Sequence, residues 1–111
     1  MKSSVDEYLL RPAALADIDG IVEYLRDARD PFVAIRFIEA AQATFEHLTF
    51  APNAYPEFKT TNQRLEGLRW RPLTGSFDRY LVFYRLDEQG RVEVMRVVHG
   101  SQDLRRVLDA D

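Results

Sequence analysis

Two apolar segments joined by a short polar turn restrict the possible folds more than any other part of the sequence. Residues 80–86 and 91–98 are rich in valine, tyrosine and phenylalanine, and the sequence DEQG at 87–90 separates them. β-Branched and aromatic residues favour strands, and a polar segment ending in glycine favours a turn. The pattern predicts a β-hairpin, which a further strand over residues 68–73 extends into an antiparallel meander.

The first half of the chain has a helical period instead. Between residues 13 and 27 the apolar positions recur every three or four residues, which is typical of an amphipathic helix. A second helix is expected to start at Asp30-Pro31, because aspartate accepts amide protons of the first turn and proline fits the first helical position. Its apolar period continues to Phe50, and Pro52 prevents continuation. With few residues between them, the helices should form an antiparallel hairpin.

These elements predict one α+β domain over residues 1–111. A short strand at residues 6–11 precedes the helix hairpin and is expected beside the last strand of the sheet. Residues 51–66 are predicted to be a loop held by Tyr55 and Phe58. Ser101 can cap a short C-terminal helix that carries Leu104 and Leu108.

The predicted sheet has two largely apolar faces. If Leu86 pairs with Arg91, alternation places the residues of the hairpin in two sets. The first set is Leu81, Phe83, Arg85, Val92, Val94, Arg96 and Val98, and the second is Tyr80, Val82, Tyr84, Leu86, Glu93, Met95, Val97 and His99. One face must pack on the helix hairpin, and the other must be covered by another element or by a partner.

Composition excludes several classes of protein. The chain has 111 residues, no cysteine and a net charge of −3. Disulfide frameworks, thiolate zinc sites and cysteine nucleophiles are therefore excluded, and binding dominated by nucleic-acid phosphates is disfavoured. No segment approaches the ~18 unbroken apolar residues of a membrane span, so a cytoplasmic protein without membrane contact is expected. No metal, nucleotide or nucleophile motif is present, and no cofactor is expected.

The candidate functional side chains are arginines and one histidine. Arg69, Arg71, Arg85 and Arg96 could stabilise a phosphate or bind an acidic surface, or they could form structural ion pairs with Asp17, Glu23, Glu66 or Glu93. His99, at the end of the last strand, could act as a general acid or base, or could tie down the terminal helix. His47 is expected to have no function, and Trp70 is expected to pack in a core.

Particular residues resemble the RelE/ParE superfamily of toxins from bacterial type II toxin–antitoxin systems. The resemblance covers nearly the whole chain and is carried by short motifs. They are Arg11-Pro12-Ala13-Ala14, Asp17-Ile18, Tyr24-Leu25, Ala34 with Phe37 and Ile38, Pro52 and Pro56, Gly67-Leu68-Arg69-Trp70 with Pro72, residues 80–85, and Arg96-Val97-Val98-His99-Gly100 followed by Asp103-Leu104. The last motif is similar to the ParE branch.

The resemblance to ParE implies a toxin that binds DNA gyrase, blocks replication and is neutralised by a small cognate antitoxin in a hetero-oligomer. Sequence-specific nucleic-acid binding is not expected. The residues expected to bind the target are Arg69, Arg71, Arg85, Arg96, His99 and Arg105. Those expected to bind the antitoxin are Tyr80, Val82, Tyr84, Met95 and Val97.

Two alternatives remain open at the level of sequence. In an mRNA endonuclease of the RelE type, His99 would move the proton and Arg69, Arg85 or Arg96 would stabilise the cleaved phosphate. The chain departs from that pattern because it is acidic, has lysine only at Lys2 and Lys59, and has no tyrosine after Tyr84. The second alternative is a non-toxic structural member of the complex.

Overall fold

The computed structural model describes residues 8–109 and confirms the predicted α+β order of elements. Two short 3-10 turns, Gln63–Leu65 and Gly75–Phe77, lie in the connections. Residues 6 and 7, which the prediction assigned to the first strand, lie outside the described residues. The elements are β1 (Tyr8–Leu10), α1 (Pro12–Ala28), α2 (Pro31–Phe50), β2 (Arg69–Pro72), β3 (Tyr80–Leu86), β4 (Val92–His99) and α3 (Leu104–Asp109).

The four strands form one sheet in the order β1-β4-β3-β2. β2, β3 and β4 pair antiparallel as the predicted meander, and β1 lies beside β4, also as predicted. The β1–β4 pair is parallel, because the helix hairpin carries the chain back across the sheet before β2 begins. The Arg11 amide donates to the Val94 carbonyl at 3.0 Å and extends this pairing to the start of α1.

The boundary between the two helices follows from two residues. The Asp30 carboxylate accepts from the amides of Phe32 and Val33 at 2.7 and 3.0 Å, and Pro31 occupies the first helical position. The predicted start of α2 is therefore confirmed.

The predicted register of the hairpin is wrong by one residue near the turn. Leu86 pairs with Val92 instead of Arg91, and the Asp87 amide donates to the Arg91 carbonyl at 2.9 Å, so the loop is one residue longer. A β-bulge at Met95, between the Phe83–Arg96 and Tyr84–Val94 pairs, adds a second one-residue shift in the same direction, so the pairs beyond it differ from the predicted ones by two residues.

The consequence is that four residues of β4 lie on the opposite faces from those predicted. Val92 and Val94 share the face of Val82 and Tyr84 and pack under the helices. The predicted faces of β3 and of residues 96–99 are correct, because the two shifts add up to two residues after the bulge, and a shift of two returns each side chain to its predicted face. Glu93 and Met95 also lie on the face opposite to the predicted one, which is the face away from the helices.

Each face of the sheet has its own core. The helix side holds Phe37, Leu48, Tyr84 and Val94, all fully buried. The other face is covered by α3 and the loop before β2. Its buried residues are Leu68, Phe83, Val98 and Leu108, with Phe58, Trp70 and Met95 packed against them. Another element of the chain thus covers the second face, as one of the two predicted options required.

The predicted cap of α3 is wrong. α3 begins at Leu104, and the Asp103 carboxylate accepts from the Arg106 amide at 3.3 Å. Ser101 lies too early in the chain to cap this helix, and it binds His99 instead.

Candidate functional site

His99 lies at the end of β4 and is held by its neighbours. Its Nδ1 atom accepts from the Ser101 amide at 3.0 Å and contacts the Ser101 hydroxyl at 2.8 Å. Because Nδ1 accepts, the proton of the neutral ring lies on Nε2. The ring also packs edge-on against Tyr80, with the centroids 5.1 Å apart. His99 therefore stabilises the turn into α3, while Nε2 remains available for an external contact.

Arg96 forms the central ion pair of the fold. It donates to both carboxylate oxygens of Asp17 at 2.7 and 2.9 Å, and both side chains are only 15% exposed. The Val97 amide donates to the same carboxylate at 2.9 Å, and Arg96 also donates to the Val107 carbonyl. β1 does not extend along this part of β4, and the Asp17 carboxylate accepts the hydrogen bond that a neighbouring strand would accept there. Asp17 thereby links α1 to β4 and, through Arg96, to α3.

Arg85 lies on the sheet face away from the helix hairpin. It pairs with Glu93 at 3.2 Å, and Arg11 approaches the same carboxylate at 3.6 Å. The pair lies beside a cavity of about 530 Å³ that is shared with Arg64 and Arg96. The Arg85 side chain is 40% exposed.

Arg69 and Arg71 lie on β2, at the opposite edge of the sheet from β1. Arg69 donates to the Tyr55 carbonyl and approaches Glu57 at 3.5 Å, whereas Arg71 donates to the Tyr55 hydroxyl and lies over its ring. Both arginines thus pin the loop before β2.

The Tyr84 hydroxyl anchors the same loop from inside the sheet. It donates to the Pro52 carbonyl at 2.6 Å. Burial raises the pKa of Tyr84 to about 12, so the phenol keeps its proton. Tyr84 is therefore a structural side chain in this chain.

The structure does not bring all the predicted target-binding residues together. Arg69 and Arg71 lie at the β2 edge, Arg85 lies on the face away from the helix hairpin, and Arg105 is exposed on α3. Arg96 and His99 border one groove, but Asp17 binds the guanidinium of Arg96. The predicted ion-pair partners Asp17 and Glu93 are present, whereas Glu23 and Glu66 form no ion pair with these arginines.

The predicted antitoxin-binding residues also do not form one open surface. Val82, Tyr84 and Val97 are at most 1% exposed, because they pack under the helix hairpin. Met95 lies on the other face, where it packs near α3, and Tyr80 is half-buried. An antitoxin could contact Val82, Tyr84 and Val97 only if the helix hairpin moved away from the sheet, so their burial argues against this part of the prediction.

A groove that the sequence did not predict lies where α1, α2 and the end of β4 meet. It has a volume of about 1000 Å³, and its lining includes Arg29, Arg36, Arg79, Tyr24 and His99. We call it the arginine groove, after Arg29, Arg36 and Arg79. Among residues 8–109, none of these three guanidinium groups has a hydrogen bond or ion pair. The signal in the sequence was weak, because the three arginines lie in separate segments.

The pKa of Tyr80 depends on side chains that line the arginine groove. Burial raises the pKa of the Tyr80 hydroxyl, the nearby Tyr24 raises it further, and Arg29 opposes the rise. These three side chains therefore lie close enough to interact through the groove.

Gly20, in the interior of α1, also lines the groove. Glycine inside a helix costs about 1 kcal/mol relative to alanine. A β-carbon at Gly20 would meet no atom within 4 Å, so packing within the chain gives no reason for glycine here.

Within residues 8–109, no group of three or more histidine or acidic side chains could hold a metal ion. None of the helices in that range is long and apolar enough to cross a membrane.

Comparison with known proteins gives one family and one fold. The profile of a family described as ParE toxin of type II toxin-antitoxin system, parDE, matches residues 8–104. A solved chain of the chromosomal ParDE TA system from P. aeruginosa superposes with a TM-score of 0.66, covering 87% of this chain and 98% of its own length. The two are 16% identical, so this likeness concerns the fold. Comparison with curated proteins gives no match.

Proposed function

The chain belongs to the ParE toxin family of type II toxin–antitoxin systems, and we propose that it inhibits DNA gyrase by binding and is neutralised by a cognate antitoxin. In this proposal the toxin breaks and forms no covalent bond. It works in the cytoplasm, where the chromosome is replicated.

The observation that supports binding over catalysis is the separation of the candidate catalytic side chains. A nuclease site needs a proton-transfer group and a phosphate-binding cation around one reacting atom. Arg69 lies at the β2 edge, and Arg85 lies on the sheet face opposite the helices. Arg96 borders the same groove as His99, but its two shortest hydrogen bonds are donated to the Asp17 carboxylate. A binding surface has no such requirement for convergence.

Surface features support a protein partner as well. Tyr24, Phe32 and Ile35 on the helix hairpin are between 50% and 71% exposed. Phe32 and Ile35 are neighbours one turn apart on α2, and exposed apolar patches are a feature of protein-binding surfaces. In the proposal an antitoxin covers apolar surface and pairs its acidic side chains with arginines of the toxin, in a hetero-oligomer.

The binding hypothesis predicts that His99→Ala retains growth inhibition. If the toxin binds gyrase without chemistry, loss of the imidazole removes one contact, and inhibition should fall by no more than about 10-fold, the effect of about 1.4 kcal/mol. The measurement is the colony count after induction of the variant in cells without antitoxin, with transcript integrity measured in parallel.

His99→Asn is the matched control, because its side-chain oxygen can accept from the Ser101 amide while the side chain cannot transfer a proton at neutral pH. Both variants should inhibit growth and leave transcripts intact. Cleaved transcripts with the wild type, lost in both variants, would support the endonuclease. No growth inhibition by the well-expressed wild type would support the non-toxic structural member.

A further inference from the structure

A cavity of about 530 Å³ lies on the sheet face away from the helix hairpin, and we call it the sheet cavity. Arginines from three separate elements line it. Arg11 lies between β1 and α1, Arg64 lies in the 3-10 turn before β2, and Arg85 lies on β3. Sites that bind small molecules have volumes of about 300–1,000 Å³, so the sheet cavity is large enough for a ligand of nucleotide size.

The Glu93 carboxylate positions two of these arginines. The Glu93 side chain is only 14% exposed, accepts from Arg85 Nε at 3.2 Å and lies 3.6 Å from Arg11. One carboxylate is thus shared by two guanidinium groups. Within residues 8–109, the Nη atoms of Arg85 donate no hydrogen bond. Both arginines therefore lie beside the cavity with donors left for an anion.

Arg64 adds a guanidinium group that has no hydrogen bond or ion pair among residues 8–109. The fourth arginine of the lining, Arg96, is bound to Asp17 and adds no excess charge. Glu66 is the acidic residue of the lining, and it is exposed. Even with Glu66, Glu93 and Asp17 counted, arginines outnumber the acids around the sheet cavity, although the chain as a whole is acidic.

The rest of the lining is mainly apolar. It consists of side chains from the core beneath α3, namely Leu65, Leu68, Met95 and Leu108. Gln63 completes the lining, and its side-chain amide can donate and accept at the edge of a heterocyclic base. An inorganic anion would leave the apolar part in contact with water. A ligand that carries an anion beside an apolar ring would use both parts.

The anion that suits the three arginines best is a phosphate. It offers three acceptor oxygens and a charge near −2 at neutral pH, whereas a carboxylate offers two oxygens and one charge. A long nucleic acid would need a basic track along the surface, which a chain with a net charge of −3 does not favour. The lining therefore favours one nucleotide over a polynucleotide.

We propose that the sheet cavity binds a nucleoside monophosphate, with the phosphate on Arg11, Arg64 and Arg85 and the base against the apolar part of the lining. The site goes beyond the proposed function, which assigns no small-molecule ligand to this chain. The ligand links the β1–α1 junction, the loop before β2 and α3, because residues of all three line the cavity.

The first test is calorimetric titration of the purified chain with adenosine, guanosine, cytidine and uridine monophosphates. At least one of them should bind. The matching nucleoside without its phosphate, and inorganic phosphate alone, should each bind about 30-fold or more weakly, since each makes only part of the contacts.

The second test removes two arginines. Arg64→Gln/Arg85→Gln should weaken nucleotide binding by about 10-fold or more, because each guanidinium group donates charge-assisted hydrogen bonds to the phosphate. The matched control is Arg26→Gln/Arg106→Gln, which makes the same change at two exposed arginines outside the lining. The control should keep the affinity within about 2-fold.

Two single variants decide the matter if the double variant does not fold, as judged by circular dichroism. Glu66→Gln removes the acid of the lining at nearly constant shape and should tighten nucleotide binding by about 3-fold. Leu65→Trp fills the apolar part and should weaken binding by about 10-fold. Unchanged affinity in both variants would contradict the assignment of the site.

Three other results would overturn the inference. They are no binding of any of the nucleotides at millimolar concentration, inorganic phosphate bound as tightly as the nucleotide, and equal affinities of Arg64→Gln/Arg85→Gln and its control. Binding of a 5′-phosphorylated oligonucleotide without binding of any mononucleotide would overturn it in favour of a nucleic-acid site. None of these titrations contains gyrase or an antitoxin, so the proposed function stands or fails separately.

Discussion

Asp17→Ala is expected to lower the free energy of unfolding by about 3 kcal/mol. The substitution leaves Arg96 without its bidentate partner at a site where both side chains are only 15% exposed. It also leaves the Val97 amide at the β4 edge without an acceptor. The measurement is urea denaturation followed by circular dichroism and by tryptophan fluorescence of Trp70.

The control for Asp17 is Asp27→Ala in the same helix. Asp27 approaches Arg26 at 3.7 Å with both side chains more than half exposed, so its removal should cost no more than about 0.5 kcal/mol. The double variant Asp17→Ala/Arg96→Met should recover part of the stability, because it removes the uncompensated charge. Equal stability losses for Asp17→Ala and Asp27→Ala would show that the pair does not hold α1 on the sheet.

Phe37→Ala is expected to cost about 4 kcal/mol of unfolding free energy, the larger of the two losses. Phe37 is a fully buried residue of α2 that faces the sheet. Its ring packs edge-on against Phe77 and Tyr80, with the ring centroids 5.6 and 5.3 Å apart. Thermal and urea denaturation measure the loss.

Phe32→Ala is the matched control on the same helix. Phe32 is 71% exposed, so the same chemical change should alter the free energy of unfolding by no more than about 0.5 kcal/mol. If Phe37→Ala were as mild as Phe32→Ala, the helix hairpin could not be packed on the sheet as described.

Local signals in the sequence were sufficient for the elements of the fold. The start of α2 depends on Asp30 and Pro31, which act on amides within three residues, and the prediction was correct there. The register of the hairpin depends on the bulge at Met95 and on a longer turn. Tertiary packing determines both features. The side chains on each face of this sheet are apolar, so strand alternation alone does not determine the position of the bulge or the length of the turn.

The ion pairs show the same limit at longer range. Asp17 was among the acids expected to pair with the strand arginines, but the sequence could not select it over Glu23 or Glu66. The choice depends on how α1 crosses the β4 edge, where Val97 also needs an acceptor.

The candidate site was the hardest part to predict. The sequence drew attention to arginines inside strands, because a cation in a sheet needs a partner, and most of these partners are internal. Arg29, Arg36 and Arg79, whose guanidinium groups have no acidic partner among residues 8–109, lie at a helix end, inside a helix and before a strand. Only the folded chain brings Arg29, Arg36 and Arg79 to one groove, so no spacing in the sequence could indicate it.

We propose that this chain inhibits DNA gyrase by binding, and a supercoiling assay with purified components measures that inhibition. We expect the wild-type chain to inhibit gyrase in proportion to its concentration, His99→Ala to inhibit comparably, and the antitoxin to restore supercoiling. Unchanged supercoiling at a large molar excess of folded toxin, together with His99-dependent cleavage of translated mRNA, would overturn the proposal.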